Sequence, residues 1–170
     1  MKEEMLPTTT IRHRGYFDYD QLINTWQAWF GEQGFTYPMG DEAATHPHKI
    51  GDFGWEDRGL FYADKKVSEY VRFRIDLRVV LQNMREVEVV QDGKKRKLTE
   101  GLVLVEVIPF IQFDYQGRFD GKGDFVKNLG LILKNYILKY KIGDYWEDML
   151  MDMSGSLVRA IRTALEQEIL

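Results

Sequence analysis

His46 and His48, set either side of Pro47, are the side chains in this chain best suited to binding a metal ion. Asp41, Glu42, Asp52, Glu56 and Asp57 are close in sequence, and imidazole with carboxylate is a ligand set for zinc or a similar divalent ion. The spacing argues for less. Two histidines flanking a proline have no helix or strand to aim them, and His13 lies in another element, so an exposed loop competes with a metal-dependent enzyme. Other routes to catalysis are closed or weak. The sequence has no cysteine, hence no thiolate nucleophile, thiolate metal site or disulfide, and it carries no Gly-x-Ser-x-Gly elbow, His-Glu-x-x-His helix or phosphate loop. Gly121-Lys122-Gly123 at a helix start offers backbone N–H groups to an anion, but such a run is more often a plain turn. No catalytic set converges, no cofactor is expected, and the chain reads as a non-enzyme.

Arg72, Arg74 and Arg78 form a row of roughly 20 Å if extended, and Lys94, Lys95, Arg96 and Lys97 crowd what reads as a hairpin tip. Together they suit a nucleic-acid backbone, with Tyr70 as a stacking ring. Three facts weigh against that reading. Asp76, Glu88 and Glu106 are placed to pair with these cations across strands, lysines at a tip guard against edge-to-edge association, and the net charge is -4, from 23 basic and 27 acidic residues.

The arginine row belongs to a long antiparallel hairpin, about 67–115. Val71, Phe73, Ile75, Leu77, Val79 and Leu81 alternate with polar residues, and Val103, Val105, Val107, Ile111 and Phe113 repeat the odd-position pattern. Setting Val71 opposite Phe113 and Val79 opposite Val105 buries both odd faces together and lays Arg78 beside Glu106. Asp92-Gly93 signals a two-residue turn, which demands the neighbouring register, with Glu88 beside Lys97 and Arg85 beside Glu100. The two registers are reconciled by a three-residue turn or by a bulge near Asn83 or Gly101.

Before the hairpin, Thr8 to Phe17 reads as a strand. Asp18 and Gln21 then open a helix over about 19–33, with Tyr19, Leu22, Ile23, Trp26, Trp29 and Phe30 on one stripe and Gly34 at its end. From Tyr37 to Gly59 periodicity is lost among Pro38, Gly40, Pro47, Gly51, Gly54 and Gly59, which predicts a long irregular loop followed by a short strand at Leu60 to Ala63. After the hairpin, two apolar stripes differ in phase by roughly 80°. They predict helices over about 124–142 and 145–168, broken at Gly143, with a close-packing point at Ser154-Gly155-Ser156. The class is α+β: one domain over 1–170, an antiparallel sheet dominated by the hairpin, and helices on one face.

That order is similar to helix-grip ligand-binding folds, in which a curved antiparallel sheet wraps a long C-terminal helix. The break at Gly143 and the scarcity of strands before the hairpin depart from it. The resemblance implies a carrier of small hydrophobic ligands, with Trp26, Phe73, Phe113 and Tyr136 as pocket candidates.

Hairpin arms of about 20 residues would reach near 65 Å if straight, against about 40 Å for a compact domain of this size. The hairpin must bend around the helices or project. Its even face also carries Leu104, Ile108 and Phe110 among the charges, more apolar surface than a solvated face needs. The leading expectation is a structural or interaction protein, a homo-oligomer or one bound to a protein partner, using Arg72, Arg74, Arg78, Leu104, Ile108 and Phe110. The ligand carrier and the nucleic-acid module are the alternatives. No stretch is long and apolar enough to span a bilayer, and Met1-Lys2-Glu3-Glu4 is no secretory leader, so a cytoplasmic location is expected.

Overall fold

In the computed structural model, which describes residues 2–36, 49–51, 54–117, 123–132 and 144–166, the two arms of the hairpin become adjacent strands of an antiparallel sheet. The strands are β1 (Lys2–Met5), β2 (Thr9–Phe17), β3 (Lys49–Gly51), β4 (Gly54–Lys66), β5 (Val71–Gln91) and β6 (Lys94–Phe113). The helices are α1 (Tyr19–Glu32), α2 (Asp124–Ile132) and α3 (Asp144–Glu166). The order across the sheet is β1-β6-β5-β4-β3, and β2 continues along the edge of β6 that β1 begins. The α+β class, the N-terminal helix and the two C-terminal helices are as the periodicities predict.

Both competing registers of the hairpin are present. Val71 faces Phe113 and Val79 faces Val105, whereas beyond an irregularity between Gln82 and Arg85 the pairing moves by one, with Arg85 facing Glu100 and Glu88 facing Lys97. Asp92 and Gly93, with φ of 50° and 73°, form a two-residue turn whose positive dihedrals match the twist of the strands. The bulge centres on Asn83, φ 56°, and is accommodated by small neighbours. A Cβ on Gly101 would lie 2.6 Å from Met84 Sδ, and one on Gly54 would lie 2.5 Å from the Met84 carbonyl oxygen, so the fully buried Met84 fills space that glycines leave.

Pro109 lies in β6, an interior strand, where proline is normally excluded. Its carbonyl accepts from the Leu6 N–H on the β1–β2 side. A residue's N–H and C=O point the same way in an antiparallel strand, so the missing donor also faces that side. There the register steps between Met5↔Phe110 and Thr9↔Val107, and the break between β1 and β2 removes the need for the bond.

The core lies on the odd face. Phe73, Ile75, Leu77, Val103, Val105 and Ile111 are wholly buried beneath α1 and α3. Asp18 caps α1 by accepting from Gln21 N–H at 3.0 Å, and Gly34 takes φ 73° just past its end. Trp26 of α1 stacks on Phe61 of β4 at 5.4 Å, and Trp146 of α3 meets Phe73 at 6.0 Å. The small run Ser154-Gly155-Ser156 does face a neighbour: Trp29 Nε1 donates to Ser156 Oγ at 2.8 Å, tying α1 to α3.

Two expectations change. The irregular stretch put at 37–59 contains β3 and the first residues of β4, and the strand put at Leu60 to Ala63 runs for 13 residues. Glycines and charges at 54–59 erase the alternation, while β5 supplies a ladder that makes the segment a strand regardless. The proposed break at Gly143 falls outside the described residues. No helix among the described residues is long and apolar enough to cross a membrane.

Candidate interaction surface

The even face of the sheet, on the side away from α1 and α3, holds most of the singled-out residues. The register lays them out in rows from β1–β2 to β4: Glu3, Gln112, Arg72; Met5, Phe110, Arg74, Asp64; then Glu106, Arg78, Leu60; then Arg12, Leu104, Val80, Arg58. Sequence spacing brings Arg72, Arg74 and Arg78 onto one face. Only the sheet shows what they touch.

Each arginine of that row is already engaged. Arg74 forms a two-point bond with Asp76, at 2.6 and 3.1 Å, and lies over the Tyr62 ring at 5.0 Å. Hydrogen bonding to Asp76 pushes its guanidinium pKa further up, outweighing partial burial. Arg72 donates to Gln112 Oε1 at 2.6 Å, Gln112 donates on to Glu3, and Arg72 also stacks on Tyr115 at 5.1 Å and approaches Asp64 at 3.8 Å. Arg78 donates to Glu106 at 2.8 Å. Arg72 and Arg78 are held across strands and Arg74 along its own strand, so a phosphate would have to displace a partner at each position. At the tip, Lys95 is paired with Glu88 at 3.9 Å and Arg96 with Asp18 at 3.7 Å. Lys94 and Lys97 are exposed.

What remains on this face is apolar. Leu60 and Met5 are 40% and 64% exposed, and Val80, Leu102, Leu104 and Phe110 are half-buried, while Ile108 is covered by its neighbours. Leu60, Val80, Leu102 and Leu104 form a strip, and the exposed Arg12, Arg14 and Arg58 flank it. Unlike the other three, these arginines form no ion pair with a described residue. The sequence reading missed them. The signal was there in Ile11-Arg12-His13-Arg14, which alternates as β2 does, but the partner strand that sets the arginines beside Leu104 and Leu102 is more than eighty residues away.

Where the sheet ends, the hairpin continues. The last partners of β4 and β2 are Met84 and Thr99. Beyond them Val87–Gln91 and Lys94–Leu98 pair only with each other among the described residues, a two-stranded ribbon of roughly 15 Å at strand rise. The hairpin therefore both lines the core and projects. At the root of the ribbon a cleft of about 540 Å³ is lined by Asp18, Tyr19, Asp20, Trp55, Glu86 and Lys97. Burial, then Asp57 and Asp20, raise the Tyr19 pKa. Asp18 is spent on the helix cap and on Arg96, and Lys97 adds a positive charge to the lining, so the cleft is a poor anchor for a cation.

Among the described residues, the pocket candidates Trp26, Phe73 and Phe113 have separate surroundings. Trp26, wholly buried, lines a cavity of about 10 Å³ with Tyr19, Leu22, Asp57 and Phe61, room for about one water. The Trp26 Nε1–H has no hydrogen-bond partner among the described residues. Phe73 and Phe113 do not line that cavity: Phe73 packs on Trp146, and Phe113 lies 6.3 Å from Tyr70. Tyr136 lies outside the described residues, as do the metal candidates His46 and His48. Among the described residues no group of three His, Cys, Asp or Glu is placed to hold a metal ion. His13 is nearly buried, with Nε2 3.1 Å from the Tyr16 carbonyl.

No family model matches the chain, and no curated protein matches it. Among solved structures, an uncharacterised protein from Rhizobium leguminosarum is similar over 98% of this chain and 97% of its own, at 10% identity and a TM-score of 0.24. A likeness at that level carries no argument about fold or function.

Proposed function

We propose that this chain is a non-catalytic interaction protein that self-associates through the outer face of its long hairpin. One observation carries the reading: the exposed and half-exposed apolar residues Met5, Leu60, Val80, Leu102, Leu104 and Phe110 share the sheet face away from α1 and α3. Exposed apolar residues gathered on one face and rimmed by polar pairs support an interaction site. The hydrogen-bonded pairs between these residues are internally satisfied, so they would serve as a polar frame that covers apolar surface without leaving charges to be desolvated.

Sedimentation equilibrium over micromolar to hundred-micromolar protein tests it, with Leu104→Glu as the interface variant. The wild type is expected to associate and the variant to remain monomeric with an unchanged circular dichroism spectrum. A wild type that is monomeric throughout rejects the reading.

A further inference from the structure

We infer that copies associate head to tail, the arginine-flanked strip on the outer face of one receiving the acidic first turns of α3 of the next. The inference rests on the self-association proposed above and gives it a geometry. On the receiving side stand Arg12, Arg14 and Arg58, exposed and free of ion pairs with described residues, around Leu60, Val80, Leu102 and Leu104. Their stems can cover the neighbouring leucines, but no described carboxylate uses their charge, and a partner bearing carboxylates would engage both the charge and the leucines.

The chain presents such a partner on its other side. Asp144, Asp148 and Asp152 recur every four residues along α3, all exposed and none paired with a described residue, with Tyr145 60% exposed beside them. Four residues of helix rise about 6 Å, and two residues of strand advance about 7 Å, so consecutive aspartates of the stripe match the separation of Arg12 from Arg14. Like charges four apart weaken a helix. The crowding is visible at Glu147, whose carboxyl is raised by burial and then by Glu4, Asp144 and Asp148. An arginine pair laid along the stripe would relieve that repulsion and satisfy both sets of charges.

The two surfaces lie on different sides of the sheet: Arg12 and Leu104 on the outer face, α3 on the core face beside Glu4. A contact between unlike patches is heterologous, so it generates a ring or an open filament rather than a two-fold dimer.

Charge reversal tests it directly. In sedimentation velocity at low salt, Arg12→Glu/Arg14→Glu and, separately, Asp148→Arg/Asp152→Arg should each associate about tenfold more weakly than the wild type, or not at all. Mixing the two variants in equal amounts should restore assembly, because each then supplies the patch complementary to the other. The milder Arg12→Gln/Arg14→Gln should weaken association in the same direction. If the wild type associates but neither reversal weakens it, or if the mixture fails to recover, the head-to-tail arrangement is wrong while self-association stands. A wild type that never associates rejects both.

Discussion

Val79 and Val80 are neighbours in β5 with identical side chains, yet Val79 is sealed in the core and Val80 lies half-exposed among arginines. The same division runs along the whole hairpin. On the inner face, Phe73, Ile75, Leu77 and Ile111 are wholly covered by helices, and identity there is governed by packing. On the outer face, large apolar residues share space with the Arg74–Asp76 and Arg78–Glu106 pairs. One strand pair therefore carries two kinds of surface, one sealed by packing and one on which the proposed association rests.

That contrast predicts a graded series of effects. Phe73→Ala, on the inner face against Trp146, should cost about 3–5 kcal/mol in urea unfolding, because a buried aromatic leaves a cavity that a sheet cannot close. A loss near zero would mean that the two faces are equivalent and break the comparison. Gly54→Ala comes next: φ is +144° and the new Cβ would meet the Met84 carbonyl oxygen at 2.5 Å, so a loss of about 1–3 kcal/mol is expected by the same measurement. Its effect would show that the bulge, which shifts the hairpin register by one residue, is built into the backbone.

Outer-face changes should be smaller. Arg78→Ala removes a bond at 2.8 Å, but the guanidinium is mostly exposed, so the loss should stay below about 1 kcal/mol and shrink further in high salt. A larger loss would give the outer face a role in folding. The smallest change should come from Glu147→Gln on dilute, dissociated protein. Its folded pKa is raised, so in the range just above the ordinary carboxylate value the folded state holds more protons than the unfolded one, and wild-type stability falls as pH rises through it. The variant should therefore be slightly more stable at neutral pH, with the difference closing as pH falls into that range. Thermal melts of the two proteins at neutral and acid pH would show it.

Much of the hairpin was legible because its signals are local or strictly periodic. Alternation marked the strands and Asp92-Gly93 the turn, and the conflict between their registers called for a longer turn or a bulge near Asn83 or Gly101, of which the structure has the bulge at Asn83. The capping aspartate and the stripe of α1 were equally plain. The strand at β4 was not, because Gly54 to Gly59 has no alternation of its own and is drawn into the sheet by pairing with β5. The candidate surface was half legible. Alternation puts Arg72, Arg74 and Arg78 on one face, but it cannot tell a free cation from one held by Asp76 or Gln112, and it gave no reason to bring Arg12 beside Leu104.

By itself the sequence determined the class, the strand faces, the turn and the two C-terminal helical stripes, since each depends on neighbours within a few residues and on the periods of strand and helix. The tertiary structure alone decided which arginines find a partner among the described residues, which leucines are left uncovered and how far the ribbon extends past its neighbours. Those outcomes depend on contacts between segments as distant as Arg12 and Leu104, and no local pattern encodes which distant carboxylate or strand will arrive.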